Sequence, residues 1–131
     1  VGEYLWGDID PQLVRVAVAF CGGVGGTHEE LCGAFSGGVM VLGILFAPEQ
    51  PGGNEDRMRA AIARYRERFL AEAGSMTCAV LTATRYGDGF KESCADLVQQ
   101  AVRILIAVIA EFGEDIEPPV RMDPAYSQAV D

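Results

Sequence analysis

Cys21, Cys32, Cys78 and Cys94 are the residues of this chain whose type and number could do chemistry. Their spacing is C-x10-C-x45-C-x15-C. That is neither the paired C-x2-C of a zinc ribbon nor a common ferredoxin run, and no C-x-x-C-H for haem attachment is present. Local context says more than spacing. Cys32 follows Thr27, Cys78 follows Ser75 and Cys94 follows Ser93, so all three fall in or beside the first turn of a predicted helix. The positive end of a helix dipole favours a thiolate, the form that attacks disulfides and binds metals. Cys21 is placed instead at a helix C-terminus, where the dipole works the other way, and it reads as an ordinary small core residue. The single histidine, His28, lies four residues before Cys32 and on the same face of the predicted helix. It could serve as a base, as a fourth metal ligand or simply as a surface residue. Glu29 and Glu30 oppose negative charge at Cys32. One histidine is too few for the ligands of a Rieske centre.

The elements that must position these cysteines follow from patterning. Leu31–Ala47 carries no charge, and the preceding Thr27-His28-Glu29-Glu30 has the form of a capping box. A helix is predicted over about 28–47, stopped by Pro48, buried, with the rest of the chain wrapped around it. Asp10-Pro11 starts a helix to about Cys21, apolar except for Gln12 and Arg15 and so predicted to be largely buried. The Gly22–Gly26 run that follows reads as a turn letting two helices approach. It does not read as a phosphate cradle, because no strand precedes it and no Lys-[Ser/Thr] ends it. Residues 1–7 read as the tail of a helix that begins ahead of Val1.

Asn54 caps a helix from Glu55 to about Ala73, with Met58, Ala61, Ile62, Tyr65 and Phe69 on its apolar face. Arg57, Arg59, Arg64, Arg66 and Arg68 occupy the remainder. They form either a solvated face paired with Glu55, Asp56, Glu67 and Glu72 or a docking patch for an acidic redox partner. Ser75 caps a short helix to about Ala83, and Tyr86-Gly87-Asp88-Gly89 is a turn. A long helix runs from about Phe90 or Ser93 to Phe112, apolar at Leu97, Ala101, Leu105, Val108 and Ile109. The expected fold is all-α: one compact bundle of about five helices over residues 1–112, followed by an acidic, proline-containing tail over 113–131.

Composition bounds the function. A chain of 131 residues that is 50% hydrophobic can build one real core. A formal net charge of −9 argues against nucleic acid as a partner. Leu31–Ala47 is shorter than the roughly 20 residues a membrane span needs and contains Gly33, Gly37, Gly38 and Gly43, so no span is expected. No signal peptide stands out, and a cytoplasmic location is expected. Gly33 and Gly37 permit close helix approach, within the fold or across a homodimer.

Cys32-Gly33-Ala34-Phe35-Ser36-Gly37 resembles the CGAxxG signature of the family called C_GCAxxG_C_C. GGVGGTHEELCGAFSGGVMVLG looks like its central block, and the segments around Cys78 and Cys94 look like its later cysteine blocks. The likeness spans about residues 8–112. It implies a helical redox domain, with Cys32, Cys78 and Cys94 as site residues. It also implies a first cysteine in a helix ahead of Val1, with glycine usual at the position of Cys21. Either Cys21 is extra and the chain is truncated, or Cys21 replaces that ligand. Three chemistries follow: thiol–disulfide exchange, to which the reading leans; electron transfer by a [2Fe–2S] cluster on Cys32, Cys78, Cys94 and Cys21; or a structural zinc held by the cysteines with or without His28. A cluster needs every sulfur to converge, whereas exchange needs only two cysteines with Cα atoms within about 7 Å.

Overall fold

A computed structural model describes residues 1–86 and 94–116. Among them are six helices: α1 (Gly2–Trp6), α2 (Pro11–Ala19), α3 (Gly33–Phe46), α4 (Asp56–Ala73), α5 (Cys78–Tyr86) and α6 (Ala95–Phe112). No strand occurs among the described residues beyond one isolated bridge, Leu31 to Thr77. The architecture is all-α, as the patterning predicts. None of these helices is long and apolar enough to cross a membrane. Tyr86, the first residue of the expected turn, is instead the last of α5, and residues 87–93 and the tail beyond Ile116 lie outside the described residues.

α3, α4 and α6 pack on one another and form the core, and α2 lies against α3. Phe35, Leu42 and Phe46 of α3 meet Ala61, Tyr65 and Phe69 of α4 and Leu97, Ala101, Ile104, Leu105 and Val108 of α6. The stripes on α4 and α6 are those their 3.6-residue periodicity picks out. At the centre, the Tyr65 ring stacks on Phe35 with centroids 5.3 Å apart, and Phe69 meets Phe35 edge-on at 5.2 Å. The Tyr65 hydroxyl donates to the Ala34 carbonyl at 3.2 Å, which satisfies the polar end of a fully buried side chain.

Four of the five arginines of α4 make ion pairs. Arg59 reaches Glu55, Arg64 bonds Glu67 and Glu111, Arg68 bonds Glu111, and Arg57 joins Asp115 and the Phe112 carbonyl. Two partners, Glu111 and Asp115, come from α6 and the residues after it, so these exposed ion pairs tie α4 to α6. As solvent-exposed pairs they contribute little to stability.

Two sequence expectations are corrected. The central helix begins at Gly33, not His28, and the capping box does not form. The Thr27 hydroxyl donates to the Gly23 carbonyl at 2.6 Å and accepts from the Glu29 amide, while His28 takes a left-handed conformation at φ 60°. The segment then runs extended into the bridge with Thr77, which competes with helix for the same backbone. The second correction is α2, none of whose residues is buried. α3 likewise buries only one face, through Phe35, Gly38, Leu42 and Phe46. Lack of charge therefore marks apolar surface as well as core here.

Gly38, rather than Gly37, is the site of close approach. A Cβ at Gly38 would lie 2.5 Å from Tyr65 Cζ and 2.6 Å from Cε1, whereas one at Gly37 would meet nothing within 4 Å. Because Tyr65 is clamped by Phe35 and Phe69, it has no room to retreat. Gly38→Ala is expected to lower stability by about 1–3 kcal/mol through overpacking. Gly37→Ala, in the same helix, should gain roughly 0.5–1 kcal/mol from helix propensity. Denaturant melts of the two variants check this, and equal effects would refute the packing assigned to Tyr65.

Candidate functional site

Two of the four cysteines are set by the bridge. The Cys32 amide donates to the Met76 carbonyl at 2.7 Å, and the Cys78 amide donates to the Glu30 carbonyl at 2.7 Å, flanking the Leu31–Thr77 pair. Glu30-Leu31-Cys32 and Met76-Thr77-Cys78 thus form one antiparallel rung, and each segment turns straight into a helix. Cys32 is the N-cap residue of α3 and Cys78 is the first residue of α5. The two cysteines are diagonal across the rung and on the same side of it, an arrangement that places Cα atoms about 7–8 Å apart. Both are buried. Cys94 is the N-cap residue of α6 and is exposed. Three helix N-termini therefore carry the three cysteines singled out from sequence.

Cys21 is exposed and is not the core residue its position suggested. It lies in the turn after α2 and packs beside the start of α3: a Cβ on Gly33 would stand 3.4 Å from Cys21 Cα and 3.3 Å from the Phe20 carbonyl oxygen. Gly33 thus lets the α2 turn approach the residue next to Cys32.

The glycine run covers the site. Gly22, Gly23, Gly25 and Gly26 all have positive φ, as do Val24 and His28, so the chain coils tightly on itself. The His28 amide donates to Gly22 and the Glu30 amide donates to Gly23, while the Glu30 carbonyl accepts from Cys78. Glu30 is therefore the backbone link between the glycine turn and Cys78. Gly23 is buried, and a Cβ there would lie 2.7 Å from Cys78 Cβ and 3.0 Å from the Glu29 amide nitrogen. His28 belongs to this turn, with its ring against Gly22, and not to a helical face shared with Cys32.

Electrostatics link Cys78 to the other three cysteines. Burial pushes the Cys78 thiol up, and negative charge on Cys32, then Cys94, then Cys21 pushes it further. Tyr65 is likewise held above the usual phenol range, first by burial and then by charge on Cys32, which puts the core ring close to the site. All four cysteines are free thiols, and among the described residues no three His, Cys, Asp or Glu side chains converge as a metal-binding group.

A family profile described as "Putative redox-active protein (C_GCAxxG_C_C)" matches residues 2–108. The chain belongs to this family. No curated protein and no solved structure matches it. The geometry gives the family's signature segment a physical content. Cys32 ends the rung, Gly33 admits the Cys21 turn, the Ala34 carbonyl receives Tyr65, and Phe35 anchors the aromatic stack. Gly23, Glu30 and Tyr65 are the site's supporting residues that sequence reasoning missed. Only the positive-φ demand at Gly23 leaves a trace in the sequence, as a glycine in a run of glycines.

Gly23→Ala forces a left-handed Cβ against Cys78. Loss of about 2 kcal/mol or more is expected from strain and overpacking. The Cys78 thiol should also become more accessible, reacting with a bulky disulfide reagent faster than in the parent protein. An unchanged melt with unchanged Cys78 reactivity would remove the covering role of Gly23.

Proposed function

We propose that the domain is a thiol–disulfide redox module with Cys78 as its shared inner thiol. One observation carries this reading: the rung holds Cys78 buried beside Cys32, while Cys94 stands exposed at the start of α6. A group so placed can resolve a bond formed at whichever outer thiol meets a partner. Cys94 is the outer thiol favoured here, because it is exposed and at a helix N-terminus. Charge on Cys32 acts on Cys78 more strongly than charge on Cys94, but Cys32 is buried, which leaves Cys94 as the thiol a partner can reach.

Exchange takes two displacements. Cys94, as thiolate, attacks one sulfur of a disulfide on the partner. The Cys94–partner bond forms, and the partner's second sulfur leaves as a thiolate that takes a proton from water. Cys78 then gives up its proton and attacks Cys94 Sγ, releasing the first partner sulfur as a thiolate that is protonated in turn. The partner is reduced by two electrons and the domain holds a Cys78–Cys94 disulfide, which an external dithiol restores by the reverse steps.

A second reading keeps the same cysteines as ligands of a [2Fe–2S] cluster. Its support is the donor chemistry: four thiols, three of them at helix N-termini whose positive ends offset negative charge. The side chains as placed do not converge on one point among the described residues, so they do not fit that group or a zinc ion in this arrangement. The redox reading here therefore runs through thiols alone.

Thiol titration after mild oxidation tests the proposal. Free thiols should fall from four to two, with Cys78 in the oxidised pair by peptide mapping, and Cys78→Ser should abolish the intramolecular bond. Oxidation that spares Cys78 would overturn this assignment. Iron and acid-labile sulfide in equal amounts on anaerobically purified protein, lost in Cys32→Ala, would replace it with the cluster reading.

The Cys78 shift also fixes a pH dependence. Its thiol holds its proton more tightly folded than unfolded, so the stabilisation is present below the ordinary thiol value of about 8.5 and is lost as pH rises through the higher folded value. The reduced protein's Tm should therefore fall across that alkaline window, and the fall should shrink in Cys78→Ser. A resolving rate that climbs with pH over the same window is the kinetic counterpart.

A further inference from the structure

α2 is apolar apart from Gln12 and Arg15, yet no residue in it is buried. Leu13, Val14, Val16 and Val18 are 44% to 64% exposed, and Phe20 just beyond is 36% exposed. A helix with this composition is normally covered on every side. The neighbouring face of α3 is also open. Gly33, Gly37, Met40 and Ile44 recur at helical spacing, and none of them is among the buried residues of α3. Gly33 lies under the α2 turn, Gly37 has nothing within 4 Å of a built Cβ, and Ile44 is 49% exposed. Pro11–Ala19 and Gly33–Phe46 carry a single charge between them, Arg15, on a chain of net charge −9.

We propose that this face is the interface of a homodimer, in which α2 of each copy lies along the open Gly37–Ile44 face of α3 in the other. Ridge and groove sit side by side on one surface, as a two-fold interface requires, since each copy must present both halves. The exposed apolar side chains amount to on the order of 600 Å² per copy, at the top of what monomers leave uncovered. Complete coverage in two copies sets an upper limit of about 1,200 Å², at the small end of specific interfaces. Interfaces this poor in charge are those of permanent assemblies, and the partner always present in equal amount is the chain itself. This inference does not depend on the thiol chemistry.

The test is sedimentation of the reduced protein over a wide concentration range, with reductant present so that Cys21 forms no intermolecular disulfide. The expected result is a species of twice the 14.0 kDa chain mass. Its dissociation constant should tighten with salt, because screening relieves repulsion between acidic copies. Val18→Asp should weaken association by about 100-fold or more. Gly37→Leu is the separating variant. It has open space and better helix propensity in the single copy, so the melt should hold or rise, while association weakens at least about tenfold because the groove is filled. A monomer at all concentrations, a Gly37→Leu dimer as tight as the parent, or a monomer that binds anionic lipid vesicles through α2 would each overturn the proposal.

Discussion

The site depends on one small element, the antiparallel rung between Glu30-Leu31-Cys32 and Met76-Thr77-Cys78. Two amide-to-carbonyl bonds of 2.7 Å join segments that are far apart in the chain and fix both where α3 begins and where α5 begins. A helix can start at a chosen residue when the residues before it are held in an extended conformation, because the extended backbone cannot also make helical bonds. The rung imposes that condition twice. Each helix therefore starts at a cysteine, and the two cysteines are brought to the same side of the same rung. Without the rung, Thr27 to Glu30 would be free to extend α3 backwards and carry Cys32 into the body of a helix.

The rung is itself held from both sides. Behind it, the Phe35–Tyr65–Phe69 cluster fixes the first turn of α3, with the Tyr65 hydroxyl on the Ala34 carbonyl two residues after Cys32. In front, the glycine turn packs on Cys78 through Gly23 and is bonded to the rung through Glu30. Hydrophobic packing and backbone hydrogen bonding thus act on the same few residues. Buried cysteines gain from this arrangement in a specific way: a rigid surround keeps water and bulky reagents from the inner thiols, while Cys21 and Cys94 stay at the surface.

What could be read from the sequence was local, and what could not was long-range. α4 and α6 were legible because their apolar stripes repeat at helical spacing, and Gly74 ends α4 in the left-handed conformation that favours glycine. The placement of Cys78 and Cys94 at helix starts was legible from Ser75 and the apolar run after Cys94. The pairing of Leu31 with Thr77 was not, since neither residue carries a signal for a partner so distant. The capping box at Thr27 and Glu30 had the right residues and still failed, because the glycines just upstream offered the Thr27 hydroxyl a carbonyl at Gly23. The burial assigned to α2 failed for a different reason: composition reports that a surface is apolar, not what covers it. The arginine face of α4 was half legible. Its within-helix partners Glu55 and Glu67 follow from spacing, whereas Glu111 and Asp115 come from the packing of α6.

The charge state of the cysteines gives the arrangement its direction. Cys78 does not ionise cheaply, because burial and then charge on Cys32, Cys94 and Cys21 oppose it. The chain makes this harder, not easier, by its net charge of −9 and by Glu29 and Glu30 beside the rung. What works the other way is the set of helix starts at Cys32, Cys78 and Cys94, whose positive ends favour a thiolate. On the thiol reading, these opposing terms let a thiolate form at the surface while the inner thiol keeps its proton until it is needed. On that reading, forming the disulfide removes the surface thiolate and the inner thiol's proton together. On the same reading, a buried Cys78 that resists ionisation suits the closing of a disulfide better than a standing role as a free thiolate.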